Sequence, residues 1–388
     1  MVEQKTFTPL FPMSLFRTEE WWCTTTDSTE DFDKGSLCVG NIDNQQNGAE
    51  KIVTGSFSGM LRIYFPRSRG YRIEDLMVEQ SLGKPILQVE IGKFIPSSTV
   101  LALAVLHPRQ LVVYQIGAMG GAGKSASHYS VVKAYEHAFK DPTSRFTASN
   151  MTYGPFGYSN SSKDFLCVQS MDGRLQFFEQ DHFAFASQLN NCLIPAPLCY
   201  SAVYDSIIVC NTKSEIVAYK YQVLASSSSR KEGSREEDWS VKIGEHASDI
   251  FVANYSRGGE PNQSNVIVLG ERSLFCINWQ GEIVMQKRMD FQVAACRTYC
   301  RVATTGDALT NEQENLLLAT FSNRILVYRD SQLVWAARYP HTPVSIRVGS
   351  FGDVDGFIVS LTEDGRISIN YLGKFKSRMF LHNNYCQI

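Results

Sequence analysis

No Cys-x-x-Cys pair occurs in this 388-residue sequence, and its ten cysteines are scattered singly. The start, MVEQKTFTPLFPM, lacks the basic head and apolar run of a secretory signal. Reduced, mostly buried thiols in the cytoplasm are therefore expected. Long hydrophobic runs are also missing. The stretch VLALAVL at 100–106 is strand length, so no direct membrane span is expected. Charge of either sign is in no excess. Against 39 acidic residues stand 37 basic ones, which argues against a nucleic-acid partner. The seven histidines fall one per segment without His-x-His, His-x3-His or His-Glu-x-x-His spacing, so zinc catalysis has no framework. No Gly-x-Ser-x-Gly nucleophile elbow is present, and no alternation of β and α patterns.

What is present is a repeat. Seven segments share a β-rich run, a tight turn and a second run: KIVTGSFSGMLRIY (51–64), LALAVLHPRQLVVY (101–114), DFLCVQSMDGRLQFF (164–178), SIIVCNTKSEIVAY (206–219), NVIVLGERSLFCI (265–277), NLLLATFSNRILVY (315–328) and GFIVSLTEDGRISIN (356–370). They align on Gly59, Arg109, Gly173, Ser214, Arg272, Asn323 and Gly365. Apolar residues follow two and four positions later, the period of a strand with a buried face. Asp-Gly in SMDGR and TEDGR is a strong hairpin signal, and Gly59, Gly173 and Gly365 read as turn formers where positive φ is required.

Further strand-like runs flank each hairpin. Upstream lie 88–94, 150–156, 196–203, 249–254, 294–301 and 345–351. Downstream lie 75–81, 131–139, 182–189, 238–243, 283–289 and 332–339. About four strands per repeat is the blade of a β-propeller. The expected fold is all-β, a seven-bladed β-propeller over residues 13–373. The last hairpin has no following strand. MSLFRTEEWW (13–22) has no local partner, so it is expected to join the last blade from outside and close the ring, with Trp21 or Trp22 packed at the seam. Residues 1–12 read as a flexible extension and 374–388 as a tail. Two insertions, 117–130 and 223–237, read as surface loops between third and fourth strands.

Three patterns carry possible chemistry. Ala118–Ser125 fits a relaxed P-loop, but the residues after it start poorly as a helix and no Walker-B strand is evident, so a flexible connector is the reading. GNIDNQQNGAEKI (40–52), with Asn41, Asp43, Gln45, Asn47 and Glu50, and GSFGDVDGFIV (349–359), with Asp353 and Asp355, resemble calcium loops. Their few carboxylates favour polar turns instead. Gly-x-Phe recurs in IGKF (91–94), YGPF (153–156) and VGSF (348–351), read as a tight strand exit with Phe packed between blades. Gly154 is expected to tolerate no large side chain, for positive φ or close packing. No catalytic residue, metal ligand or cofactor is assigned.

The segments MSLFRTEEWW, GSFSGMLRIY, ILQVEIGKF, LAVLH, NMTYGPFG, QSMDGRLQFFEQ, YKYQVLA, IGEHASDI, VLGERSLFCI and PHTPVSIRVG, in this order, resemble the N-terminal region of the Bardet–Biedl syndrome 9 family, also called parathyroid-hormone-responsive B1. The resemblance runs from Met13 to about Gly373. It implies a non-enzymatic propeller scaffold in a subunit of the BBSome, which moves membrane receptors into and out of cilia. The implied partners are other BBSome subunits and, indirectly, receptor cargo and an Arf-like GTPase. The implied location is cytoplasm, cilium, basal body and centriolar region. Family members continue into further domains, and KFKSRMFLHNNYCQI does not resemble that continuation, so a fragment or truncated product is expected. The rival readings are a calcium-dependent or hydrolytic propeller enzyme and a non-ciliary coat or WD-like adaptor.

Overall fold

The computed structural model describes residues 18–119, 128–139, 146–158, 163–189, 197–226, 236–255, 264–299, 314–329, 331–352 and 354–372. The expected extension 1–12 and tail 374–388 lie outside them.

Strand β1 (Thr18–Thr25) comes first and belongs to the last blade. Blade 1 is β2 to β5 (Leu37–Gly40, Lys51–Gly55, Met60–Tyr64, Leu76–Ser81). Blade 2 is β6 to β9 (Gln88–Gly92, Ala102–His107, Gln110–Met119, His128–Ala138). Blade 3 is β10 to β13 (Ala148–Gly154, Phe165–Ser170, Arg174–Glu179, His182–Gln188). Blade 4 is β14 to β17 (Leu198–Ser201, Ser206–Cys210, Glu215–Lys220, Trp239–Lys242), with helix α1 (Tyr221–Ser226) after its third strand. Blade 5 is β18 to β21 (Ala247–Ala253, Asn265–Gly270, Ser273–Ile277, Ile283–Arg288). Blade 6 is β22 to β25 (Val293–Tyr299, Asn315–Thr320, Arg324–Arg329, Gln332–Arg338). Blade 7 is β26 to β28 (Ser345–Phe351, Val354–Leu361, Arg366–Leu372) plus β1.

Each blade is an antiparallel sheet in chain order from the axis outward, except the seventh, whose order is β26, β27, β28, β1. The first strands of successive blades are the ones that meet around the axis. The expected seven-bladed ring, closed by the N-terminal strand, is the fold observed.

The buried apolar side chains form seven clusters, and each spans two neighbouring blades. This is why the hairpins are apolar on both faces. In β3 every residue is buried, as in β7, β15 and β19. A sheet sandwiched between two others loses the polar alternation of a solvent-facing strand.

The hairpin turns fall into two kinds. Gly59, Gly173, Ser214, Asn323 and Gly365 all have positive φ, from 57° to 90°. Each closes a three-residue loop, as where Gly59 N donates to Ser56 O and Gly173 N to Ser170 O, both at 3.0 Å. Asp-Gly is therefore not the two-residue turn its sequence suggests. Only the glycine is left-handed, so the turn is the type I plus bulge variety. The Arg109 and Arg272 copies are tight two-residue loops, shown by the pair His107↔Gln110 and by the pair Leu269↔Leu274 one step back along the strands. They need no left-handed residue.

Both expected loops are shorter than their sequences suggest. In 117–130, β8 runs to Met119 and β9 resumes at His128, paired Gly117↔Ser130, Ala118↔Tyr129 and Met119↔His128. Since β7 pairs with β8 only as far as Tyr114, this ribbon projects past its sheet. In 223–237, residues up to Ser226 are helical. Tyr221 and Leu224, one helical turn apart, are buried, and Tyr221 packs on Phe156, Phe177 and Phe185 at 5.5–5.6 Å.

Candidate functional site

The seam between blade 7 and blade 1 combines strand pairing, aromatic packing and a buried side-chain hydrogen bond. Two consecutive tryptophans in a regular strand would face opposite sides. Here Glu20 pairs with Asn370 and Trp22 with Ile369, which leaves Trp21 as the extra residue of a bulge. Both rings thereby join one core. Trp21 packs on Phe357 at 5.0 Å and Phe351 at 6.5 Å. Trp22 is 1 % exposed and sits edge-on to Tyr64 and Tyr71 of blade 1 at 5.7 and 5.6 Å. Its indole Nε1 donates to Asp75 Oδ2 at 2.9 Å. Blade 7 and blade 1 are thus joined by packing and by a buried hydrogen bond.

The segment from β1 into blade 1 adds a second fastening. Thr26 N donates to Gly365 O and Phe32 N to Glu363 O at 3.1 and 3.2 Å, and Phe57 N donates to Asp31 O at 3.0 Å. Within it Glu30 takes both terminal nitrogens of Arg62 at 2.7 Å. Arg62 Nε reaches Glu79 at 2.7 Å. A Cβ at Gly365 would meet Phe32 Cε2 at 2.8 Å and Thr26, so this turn is tight for both φ and space. A Cβ at Gly59 would meet the Lys84 carbonyl at 2.5 Å.

The three Gly-x-Phe stretches bury their phenylalanine alike, although Gly92 and Gly154 end their strands and Gly349 lies within β26. Phe94, Phe156 and Phe351 are buried, each within a different inter-blade cluster. Gly92, Gly154 and Gly349 have no positive φ; close packing is what they provide. At Gly154 the close neighbour is the Tyr200 ring.

The calcium-like stretch 40–52 surrounds a cation, and the cation is the chain's own. Lys51 reaches from β3 into the loop and is wholly buried, as is Asp43. Its Nζ donates to the Asp43 carboxylate, to the Ala49 carbonyl at 2.7 Å and to Asn41 Oδ1 at 3.4 Å. The Phe65 ring covers it at 4.7 Å. Glu50 turns away and accepts from Ser350 N of blade 7 at 2.6 Å. The five oxygen-bearing side chains are therefore divided between an ammonium and other partners. Asp353, of the second stretch, lies outside the described residues. Replacing Lys51 with Met strands a buried carboxylate and is expected to cost about 3–5 kcal/mol in urea unfolding. Adding Asp43→Leu should recover much of that loss, and EDTA should leave the wild-type melting temperature unchanged.

Of the P-loop match, residues 120–125, Lys124 among them, lie outside the described residues; the next described element along the chain is strand β9.

Among the described residues no three His, Cys, Asp or Glu side chains converge on a metal-sized point. His107 is buried with Nδ1 2.8 Å from Pro85 O, and His137 lies on Phe178 with Nε2 2.8 Å from Gln180 O. Burial pushes the Cys38, Cys167, Cys199 and Cys296 thiols above their ordinary range, which makes them poor nucleophiles. A polar, open concavity of about 540 Å³ lies beside the closure, lined by Glu30, Asp31, His341, Thr342, Glu363 and Asp364 among others. Ligand pockets are mostly apolar, and this one is not. Exposed apolar side chains stand at loops, as Phe57 and Phe321 do, and on outer strands, as Phe183, Val284 and Leu333 do. Tyr204, in the first turn of blade 4, stacks on the exposed Trp279, in the last turn of blade 5, at 6.1 Å beside exposed Val203.

The geometry defines a self-closed seven-bladed propeller that offers faces and loops. Comparison narrows this. Residues 13–374 match the family model described as PTHB1 N-terminal, and the chain belongs to that family. It is 38 % identical over 377 residues to Protein PTHB1 of Xenopus laevis and of Homo sapiens, and 27 % identical over 363 residues to the pthb1 homolog of Caenorhabditis elegans. Each alignment covers 93 % of this chain, which spans about two fifths of those relatives' length, 42 %, 41 % and 44 % respectively. Among solved structures it resembles BBS1N, crystallised in complex with ARL6DN and soaked with mercury. The TM-score is 0.65 at 12 % identity, covering 94 % of this chain and 99 % of that one. That likeness shows the fold.

Proposed function

We propose that this chain is the propeller of a BBSome subunit, a non-enzymatic scaffold serving ciliary membrane-protein trafficking and cilium assembly. The observation that carries the reading is the 38 % identity to human Protein PTHB1 across 93 % of the chain. A second observation supports it: the same fold occurs in BBS1N, which was crystallised with ARL6DN. The ring presents rigid faces because all seven cores lie between blades and closure leaves the sheets mutually braced. Other subunits dock on those faces, and receptor cargo and an Arf-like GTPase are engaged indirectly. The protein works in the cytoplasm and at the cilium, basal body and centriolar region. No helix among the described residues is long and apolar enough to cross a membrane.

Affinity purification of the tagged chain from ciliated cells tests this, with a full-length relative run beside it. Recovery of other BBSome subunits by both is expected. Recovery by the full-length protein alone would move the contacts outside the propeller and overturn its scaffold role. Recovery by neither would overturn the complex itself.

A further inference from the structure

The first strands of the seven blades line the axis, and their pairing registers define layers around it. The residues paired at the equivalent point of each second strand are Cys38, Glu90, Thr152, Cys199, Phe251, Arg297 and Arg347. One layer of the axis therefore carries two guanidiniums on adjacent blades and a single carboxylate. Lys34 and Asp249 lie beside it.

The charges of this region are unequally matched. Arg297 Nη1 donates to Asp249 Oδ2 at 2.6 Å and to Cys296 O at 2.9 Å, and its guanidinium lies over the Phe251 ring at 5.7 Å. Lys34 Nζ donates to Ser248 O at 2.5 Å. Glu90 accepts from Gln88 Nε2 at 2.9 Å. Arg347 has only Ile346 O at 3.1 Å and Ser345 Oγ at 3.4 Å, both through Nη1. No carboxylate of the described residues reaches it as an ion pair. A guanidinium carries five N–H donors in a fork that fits two oxygens of one anion. Arg347 is half-buried on the first strand of blade 7, and the first strands of a propeller surround its central channel. Burial first, and then the neighbouring Arg297, hold its affinity for a proton below the usual arginine range, while Glu90 and Asp249 act the other way without overcoming them. The small cavity beside Lys34 and Arg297, about 10 Å³, holds at most a water.

We infer that this layer is an oxyanion site, in which Arg347, backed by Arg297, binds a carboxylate or a phosphate entering the central channel. The shared chemistry is a compact anion with two oxygens for the free face of the guanidinium. It comes either as a free ion or as an acidic side chain of another chain. Glu90 opposes it and sets its affinity.

Calorimetric titration with inorganic phosphate and, separately, with acetate tests the site, in chloride of matched ionic strength. Saturable binding of at least one anion is expected, weakened at least tenfold in Arg347→Gln and by less in Arg347→Lys. The exposed control Arg324→Gln should bind as wild type does. Glu90→Gln leaves both arginines in place and should tighten binding several-fold, which keeps the test valid should Arg347→Gln fail to fold. Preference for phosphate assigns a free ion; saturation by acetate assigns an acidic side chain. Absence of saturable binding in the wild type, or equal affinities in wild type, Arg347→Gln and Glu90→Gln, overturns the inference.

Discussion

Replacement of Gly154 by arginine is expected to unfold the propeller or to destabilise it by about 3 kcal/mol or more. The reason is local. A Cβ at this position would stand 2.6 Å from Tyr200 Cε1, inside the ring's van der Waals envelope. Tyr200 has little freedom to retreat. Its hydroxyl donates to Asp205 Oδ1 at 2.8 Å and lies 3.2 Å from Pro155 O, and Phe156 packs edge-on against it at 4.6 Å. Asp205 is committed as well, accepting from Gly157 N at 2.9 Å. Displacing the ring therefore disturbs the junction of blades 3 and 4, and the arginine brings a charge into it besides. Gly154→Ala isolates the steric part and should cost about 1–3 kcal/mol. Tyr200→Ala in the same chain opens the space, so the double variant should lose less than the two single losses added. Urea denaturation of wild type, Gly154→Arg, Gly154→Ala, Tyr200→Ala and the Gly154→Ala/Tyr200→Ala double variant measures this. A Gly154→Arg protein as stable as wild type would sink the packing argument.

The ring was legible in the sequence because its physics repeats. Seven apolar hairpins with turn residues at one offset specify the blades, and the flanking strands fall within a few residues of their expected ends. Closure was legible for a different reason: a strand-like start without a partner and a last blade short of one. What escaped was set by side chains reaching across the chain. Nothing local marks Lys51 as the cation of its own polar loop, because a lysine in a strand ordinarily points to solvent. The bulge at Trp21 is invisible until the register shows two neighbours on one face. The helix Tyr221–Ser226 left a weak signal, two apolar residues three apart, swamped by the serines behind them. The axial arginines sit 50 positions apart and become neighbours only when the first strands are aligned through their hairpin partners. The Gly-x-Phe stretches were legible as packing devices, and of the two causes open to Gly154, positive φ and close packing, the second holds.

The second large effect belongs to the closure. Glu30→Ala is expected to cost about 3–5 kcal/mol, while Glu79→Ala costs under about 1 kcal/mol, although both carboxylates hold Arg62. Glu30 is 4 % exposed and binds the fork of the guanidinium with both oxygens; Glu79 is 47 % exposed and binds through one. Water replaces Glu79 readily and cannot replace Glu30. Glu30, the first partner of Arg62, pushes its affinity for a proton up; without Glu30 the guanidinium still stays charged, since arginine does not deprotonate in proteins, and is left buried without its fork partner. Because Glu30 lies in the segment that carries the chain from β1 into blade 1, its loss should loosen the seam before the other blades. Hydrogen exchange should then quicken first in β1 and in β4, where Arg62 lies. Replacing both partners, Glu30→Met with Arg62→Leu, removes the stranded charge and should restore most of the stability. Equal losses for Glu30→Ala and Glu79→Ala would show that the closure does not depend on this buried pair. The ring would then be held by the tryptophans and the strand pairing alone.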